Sequence, residues 1–321
     1  MRISLYLDLR NPPRWQRPWA EHYARALTLL SDAEAMGADG VWLTEHHFFE
    51  DGYLPQPLTF AAAIAARTER MRIGTAVLLA NLRSPVHTAE EAAVVDILSG
   101  GRLDLGVGVG YRIPEYEAFD ADIGRRYSVL EQRVLDIRRA WTHRVTPTPI
   151  QQPIPMWGGF FGQRGAELAG RLGLGLLSLD RSLYPTYARA LEATGYEQAS
   201  ARLTGSLRVV VAHDPERTWS IIRPHLEYMW NTYNSYGAEG TGRTPSPIDA
   251  EAWRRPSANG APPLFQVLTP EDTVRFAREL THGLPVRELY VWASLAGMPD
   301  STVQEHLSLL LEQVAPQLRR D

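Results

Sequence analysis

The sequence predicts a (β/α)₈ barrel with an insertion after its seventh strand. Three observations lead there. Eight short apolar runs alternate with longer runs whose apolar residues recur at helical spacing, the order of a parallel sheet joined by crossover helices. The strand runs are mostly apolar without clean alternation, as strands covered on both faces are. A chain of 321 residues would ordinarily divide into about two domains, yet single α/β barrels reach this length. An open doubly wound sheet is the competing architecture.

The first strand covers residues 3–9, and 19–36 follows as an amphipathic helix closed by Gly37. Residues 40–45 form the second strand and 57–68 a helix. The third pair is 71–79 and 85–98, ended by Ser99-Gly100-Gly101. Residues 102–108 are the fourth strand, with no helix expected before 125–142. In the second half, strands at 154–158, 174–179, 203–212 and 288–293 alternate with helices at 163–172, 183–195, 270–280 and 303–317. The seventh strand leads into a helix at 216–233 and then a stretch, 234–263, rich in Gly, Pro, Ser and Asn. A run this long without structure is an active-site lid or a spacer, and it leaves from the C-terminal face, where barrel active sites lie.

Composition narrows the function. Apolar residues make up 44% and charged residues 22%, as in an ordinary globular protein. A net charge of −4 and a pI near 6.2 give no electrostatic reason for a nucleic-acid or anionic-membrane partner. No run of apolar residues is long enough for a membrane span, and the N-terminus enters a strand at once, so a cytoplasmic location is expected. Without cysteine there is no disulfide, thiolate metal site or cysteine nucleophile. All 33 basic residues are arginine. With no lysine for a Schiff base or a P-loop, a phosphate clamp must use arginine or backbone amides.

Candidate chemistry gathers at strand ends. The second strand runs into Glu45-His46-His47-Phe48-Phe49. Adjacent side chains on a strand face opposite ways, so both histidines cannot enter the barrel mouth, and no metal-ligand spacing completes a site. One histidine facing the pocket beside Glu45 could handle or orient a proton; a histidine merely hydrogen-bonded at the rim is the plainer alternative. Small residues at Gly74-Thr75-Ala76 would let backbone approach a flat ligand, or simply pack the barrel. The run Gly106-Val-Gly108-Val-Gly110-Tyr111-Arg112 lacks the spacing and the following helix of a dinucleotide fingerprint, and reads as room for a ligand with Tyr111 and Arg112 at its rim. Gly158-Gly159-Phe160-Phe161-Gly162-Gln163-Arg164-Gly165 carries a strand into a helix N-terminus, a candidate anion site that Arg164 could strengthen. No second phosphate motif occurs, so no separate nicotinamide domain is expected.

Taken together, residues 40–48, 72–77 and 99–108 resemble the luciferase-like flavin monooxygenases, with the bacterial luciferase α subunit and its single-chain relatives as the nearest pattern. The resemblance runs over nearly the whole chain. It implies a barrel holding reduced flavin mononucleotide (FMN) supplied by a separate flavin reductase. Dioxygen then adds at flavin C4a, and the peroxyflavin oxygenates a small organic substrate. By position, His46 matches the family's catalytic histidine. Ala76-Val77 matches a bulge under the flavin ring that contains a non-prolyl cis peptide in relatives. Gly162, Gln163, Arg164 and Gly165 fall where the family binds the phosphate, and Gly108, Gly110, Tyr111, Gly159 and Phe160 are expected beside the cofactor. Homodimers are the family habit. One departure stands out: Gly108-Val109 replace a Cys-Arg pair whose arginine holds the phosphate in the luciferase subunit, which shifts that role to Arg164 and the neighbouring amides. A deazaflavin-dependent hydride-transfer branch of the superfamily is the alternative, and a catalytically silent flavin-binding barrel a third. Tyr111, Trp157 and Trp292 are pocket candidates for an apolar or aromatic guest.

Overall fold

In the computed structural model, which describes residues 1–255 and 263–319, the apolar runs pair into a closed parallel barrel. Its strands are β1 (Arg2–Leu7), β2 (Gly40–Leu43), β3 (Arg72–Thr75), β4 (Leu103–Gly108), β5 (Met156–Gly159), β6 (Gly175–Leu177), β7 (Leu203–Ser206) and, closing against β1, β10 (Val286–Trp292). Strands β8 (Val209–Val211) and β9 (Gln266–Leu268) pair separately as a two-stranded parallel sheet.

Helices α1 (Trp19–Ala35), α2 (Pro57–Ala65), α3 (Pro85–Leu98), α4 (Ile113–Ala118), α5 (Arg126–His143), α6 (Gln163–Arg171), α7 (Tyr184–Ala193), α8 (Pro215–Ala238), α9 (Ala250–Trp253), α10 (Pro270–Thr281), α11 (Asp300–Ser308) and α12 (Ala315–Arg319) complete the chain, the last two joined by a π-helical turn, Leu309–Val314. Helices α2, α3, α8 and α10 each begin on a proline, whose fixed φ suits the first turn and whose missing N–H is not needed there. Ser84, Asp214 and Thr269 cap the last three by accepting an amide of the first turn.

Two apolar layers and a small cluster of Leu79, Leu82 and Tyr116 result among the described residues. The larger layer lies between barrel and helices. The smaller fills the barrel axis with Trp42, Ala76, Trp157, Leu177 and Tyr290, packed against Tyr6 and Val77. The two indoles meet edge to face at 5.8 Å. Each finds an acceptor toward the barrel floor: Trp42 Nε1 donates to Glu288 at 2.7 Å and Trp157 Nε1 to Asp104 at 3.1 Å. The carboxylates pair in turn with Arg2 and Arg72, so these buried charges are neutralised. Trp157 is therefore a packing residue and not a pocket wall. The room at Gly74 is likewise taken by the Trp42 ring, which would lie 2.4 Å from any Cβ there.

The structure departs from the predicted elements in four places. The seventh strand is broken at 207–208, because Val209-Val-Val211 is apolar enough to read as its continuation but pairs with β9, which the sequence did not predict. The third strand leaves its ladder after Thr75 instead of running on to residue 79; it passes a cis Ala76–Val77 peptide, as the resemblance implied, and rejoins β4 at Leu78 opposite Val107. A helix, α4, precedes the one expected at 125. Finally, α8 runs to Ala238, so the first residues of the 234–263 stretch are helical and its later part includes α9; residues 256–262 lie outside the described residues.

Candidate active site

Because all eight strands run one way, the segments leaving their C-terminal ends share one mouth. His46 follows β2, Ala76–Val77 follow β3, Gly108, Gly110 and Tyr111 end or follow β4, and Gly162, Gln163, Arg164 and Gly165 join β5 to α6.

Past β2 the chain turns, with Phe48 at φ +61°, and the two histidines part company. His46 Nδ1 lies 2.9 Å from Glu115 Oε1, whereas His47 Nε2 lies 3.1 Å from Glu45 Oε1. The expected neighbour of His46, Glu45, is thus corrected. Glu45 instead accepts from His47, from the Leu79 amide at 2.6 Å and from the Arg83 guanidinium at 2.7 Å. The partner of His46 comes from α4. Glu115 also accepts the His47 amide at 2.8 Å, and Arg112 stands 3.4 Å from the same oxygen. Its other oxygen, Oε2, is buried with no partner among the described residues.

These contacts fix the charge states. Burial holds His46 below its ordinary value of 6.5, against the upward pull of Glu115. Burial alone would raise Glu115, but the hydrogen bond and charge of His46, the His47 amide and Arg112 hold it below the ordinary 4.5. An ionised carboxylate only accepts, so the His46 proton sits on Nδ1 and Nε2 keeps its lone pair. The Tyr111 hydroxyl stands 3.2 Å from that nitrogen and can donate to it.

Helix α8 and the loop after β2 wall this side of the mouth. Phe49 stacks between His46 and Tyr236, with centroids 4.9 Å and 4.1 Å away. Tyr53 and Tyr233 share a hydroxyl hydrogen bond of 2.8 Å. Arg112, buried, lies over Phe49 and Tyr236 and pairs with Glu239 just past α8. Below them Arg10 lies 4.3 Å from the Tyr233 ring centre, within ion-pair reach of Asp8 at 3.3 Å and Asp51 at 3.2 Å. Burial raises the Asp8 carboxyl to about 6 despite Arg10.

Across the mouth, β4 and β5 make a shelf. A Cβ at Gly108 or Gly159 would come within 2.4 Å or 2.3 Å of the Val77 methyls, so only glycine lets Val77 settle between the two strands. The Tyr6 hydroxyl donates to the Ala76 carbonyl at 2.8 Å and pins the bulge from the barrel axis. Gly162, at φ +82°, delivers the chain to the free amides of α6. Arg164 is exposed there, its guanidinium 4.4 Å from the Tyr127 ring centre, and it has no carboxylate partner among the described residues. Gln163 ties the turn to the carbonyl of Ser182 at 3.1 Å. Phe160 is the exception, its ring buried in the core behind Gly158 and Gly165, so only its backbone can reach a ligand.

Glu115, Asp8, Arg10, Asp51, Tyr233 and Tyr236 were not legible as site residues in the sequence. Only Glu115 had a signal, Pro114 marking a helix start just past Arg112. Among the described residues no cluster of three or more His, Asp or Glu could hold a metal, and no helix is long and apolar enough to cross a membrane.

The profile of the luciferase-like monooxygenases matches residues 1–274. The chain belongs to that family. Among curated relatives of this luciferase-like chain, the oxygenase component of a flavin-dependent trigonelline monooxygenase from Acinetobacter baylyi is 30% identical, over 48% of this chain and 47% of the relative. An F420-dependent glucose-6-phosphate dehydrogenase from Amycolatopsis mediterranei is 31% identical over 45% and 50%. The match thus spans about half the length of these two relatives. Among solved structures, monooxygenase RslO1 from Streptomyces bottropensis superposes with a TM-score of 0.80 at 21% identity, covering 99% of this chain and 100% of that one. The oxygenating constituent of 3,6-diketocamphane monooxygenase from Pseudomonas putida, solved with FMN, gives 0.74 at 16% identity over 99% and 98%. The family is one of flavin- or F420-dependent monooxygenases and oxidoreductases.

Proposed function

We propose that this luciferase-like protein is the oxygenase of a two-component system, taking reduced FMN from a separate reductase and using dioxygen to oxygenate a small organic substrate. The observation that carries this reading is the neutral His46, buried, with an unprotonated Nε2 at the mouth opposite the Val77–Gly108–Gly159 shelf.

The residues present suit FMN. The shelf offers a flat apolar seat for a ring system, and Gly110 and Tyr111 border it. The first-turn amides up to Gly165, and Arg164, which has no carboxylate partner among the described residues, offer donors and positive charge for a terminal phosphate; the Ala166 amide is already taken by the Gly162 carbonyl at 3.2 Å. When bound, reduced FMN supplies the electrons that activate dioxygen. The protein's own part is to hold a proton acceptor at His46 Nε2, keep it neutral by burial, orient it through Glu115, and exclude water with α8. A homodimer is the expected assembly.

The deciding experiment titrates the protein with reduced FMN and with reduced deazaflavin, then admits oxygen. Tight FMN binding and oxygen uptake that depends on substrate support the proposal. Preference for the deazaflavin, with hydride transfer and no oxygen uptake, replaces it with the reductase-like alternative, which the F420-dependent relatives favour. Binding without turnover leaves a silent flavin-binding barrel.

A further inference from the structure

The mouth holds an arginine, Arg208, that the flavin reading does not use and that no carboxylate matches among the described residues. Thr204 pairs with Glu288 and Ser206 with Tyr290, and both partners point into the barrel. Alternation therefore turns residues 204 and 206 inward, and past the break at 207–208 Arg208 is the exposed residue between buried Leu207 and Val209, just beyond the C-terminal end of β7. Two observations agree. Its guanidinium lies 5.6 Å from the centre of the Trp230 ring on α8, and its charge opposes the upward push that burial exerts on the Tyr6 and Tyr290 hydroxyls at the axis.

The other arginines on this side are matched. Arg10 faces Asp8 and Asp51, Arg83 faces Glu45, and Arg112 faces Glu115 and Glu239. Arg208 is exposed and has no carboxylate partner among the described residues. Beside it the Ser206 hydroxyl is buried without a hydrogen-bond partner. Around the barrel, Arg208 after β7 and His46 after β2 flank β10 and β1, the half of the mouth that the shelf on β3–β5 leaves free. Between them lie Trp292 and Tyr6, in edge-to-face contact at 4.4 Å, with Trp230 above.

We propose that Arg208 anchors the substrate, and that the substrate is an organic carboxylate whose apolar or aromatic body lies along the half-buried Trp230 and Tyr6 toward His46. A guanidinium fork matches the two oxygens of a carboxylate, with Ser206 free to add a third bond. One unpaired cation balances one negative charge. A phosphate ester would bring nearly two, and the next cation, Arg10, is already neutralised by two carboxylates. What becomes of the bound substrate rests on the monooxygenase reading; its recognition does not.

The test titrates the full chain, with and without FMN, with phenylacetate and octanoate and with their neutral amides, following tryptophan fluorescence and calorimetry. At least one acid should bind on the order of 10- to 100-fold more tightly than its amide. Arg208→Gln should abolish that preference while leaving amide and FMN affinities unchanged, and Arg208→Lys should restore part of it. Equal binding of acid and amide, no binding of either acid, or a preference that survives in Arg208→Gln overturns the assignment. So does a loss of FMN but not riboflavin affinity in Arg208→Gln, which would make Arg208 a cofactor clamp. Oxygen uptake with reduced FMN, measured separately, tests the monooxygenase reading, and its failure would leave the acid-over-amide preference intact.

Discussion

His46 Nδ1 stands 2.9 Å from Oε1 of Glu115, a carboxylate 69 residues further along the chain. That single contact sets the tautomer, orientation and charge of the histidine, and the same oxygen also receives the amide of His47. The loop after β2 and the short helix after β4 are thereby locked to each other at the mouth.

Replacing His46 with Ala should lower substrate oxygenation by about 10²-fold or more while reduced FMN still binds. His47→Ala should act differently. Its ring is buried against Glu45, so the loss should appear as about 1–3 kcal/mol of stability in denaturant unfolding, with turnover per folded molecule largely kept. Equal loss of turnover in both variants would refute the assignment to His46.

The pH profile carries the sign of the His46 shift. Its protonation in the folded state is displaced below 6.5, so Nε2 stays available down to that pH, and activity should fall on an acidic limb lying below 6.5. Glu115→Gln removes the charge that pulls His46 upward, so the limb should move to still lower pH. A limb that stays in place in this variant would show that another group controls it.

For Arg164→Ala, FMN affinity should fall by about 1.5–3 kcal/mol, the value of a charged hydrogen bond, with riboflavin affinity barely changed. Flavin fluorescence quenching measures both. Equal losses would place the phosphate elsewhere.

Asp8 supplies a stability prediction. Its folded value is raised from 3.8 to about 6, so the folded chain keeps a proton that the unfolded chain releases. The resulting penalty grows as pH rises from about 4 to about 6 and is complete above that, at roughly 3 kcal/mol. The stability of Asp8→Asn relative to the parent should therefore rise across that window and level off above it. A flat difference in denaturant midpoints would mean that Arg10 holds Asp8 ionised throughout.

If the stretch after α8 covers the site, replacing residues 241–262 with a short linker should keep the fold and FMN binding but uncouple oxygen consumption, releasing hydrogen peroxide. Keeping Tyr236 and Glu239 preserves their contacts with Phe49 and Arg112. Unchanged coupling, read from peroxide formed per oxygen consumed, would make the stretch a spacer.

The barrel was legible because buried parallel strands and amphipathic helices write different periods, and strand ends in a parallel barrel must converge. That is why His46, Ala76, Gly108 and Gly162 could be placed at one mouth from sequence. Glu115 could not be paired with His46, because α4 has six residues, too few to show a period, and nothing local links the two positions. The group of Arg10, Asp8, Asp51 and Tyr233 was hidden for a related reason: it draws on β1's end, the loop after β2 and α8, which only tertiary packing brings together. The break in strand seven was masked because a run of valines looks alike whether it continues one ladder or starts another.

That break has a further consequence. Val209 lies in register with Gln266 and Val211 with Leu268, so the chain departs from and returns to the same pair of strands, off the barrel's own ladder. The described residues between them, including Trp230, Tyr233 and Tyr236, belong to one excursion that leaves at Val211 and returns at Gln266, at the two ends of a single parallel pair. Such a piece can be exchanged whole without shifting any strand of the barrel by a residue, provided the replacement keeps apolar side chains where Trp219, Ile222, Leu226 and Met229 fill the core. The molecule is built as a fixed socket and an interchangeable cassette, and grafting another chain's cassette between β8 and β9 should change which molecules are accepted in a single operation.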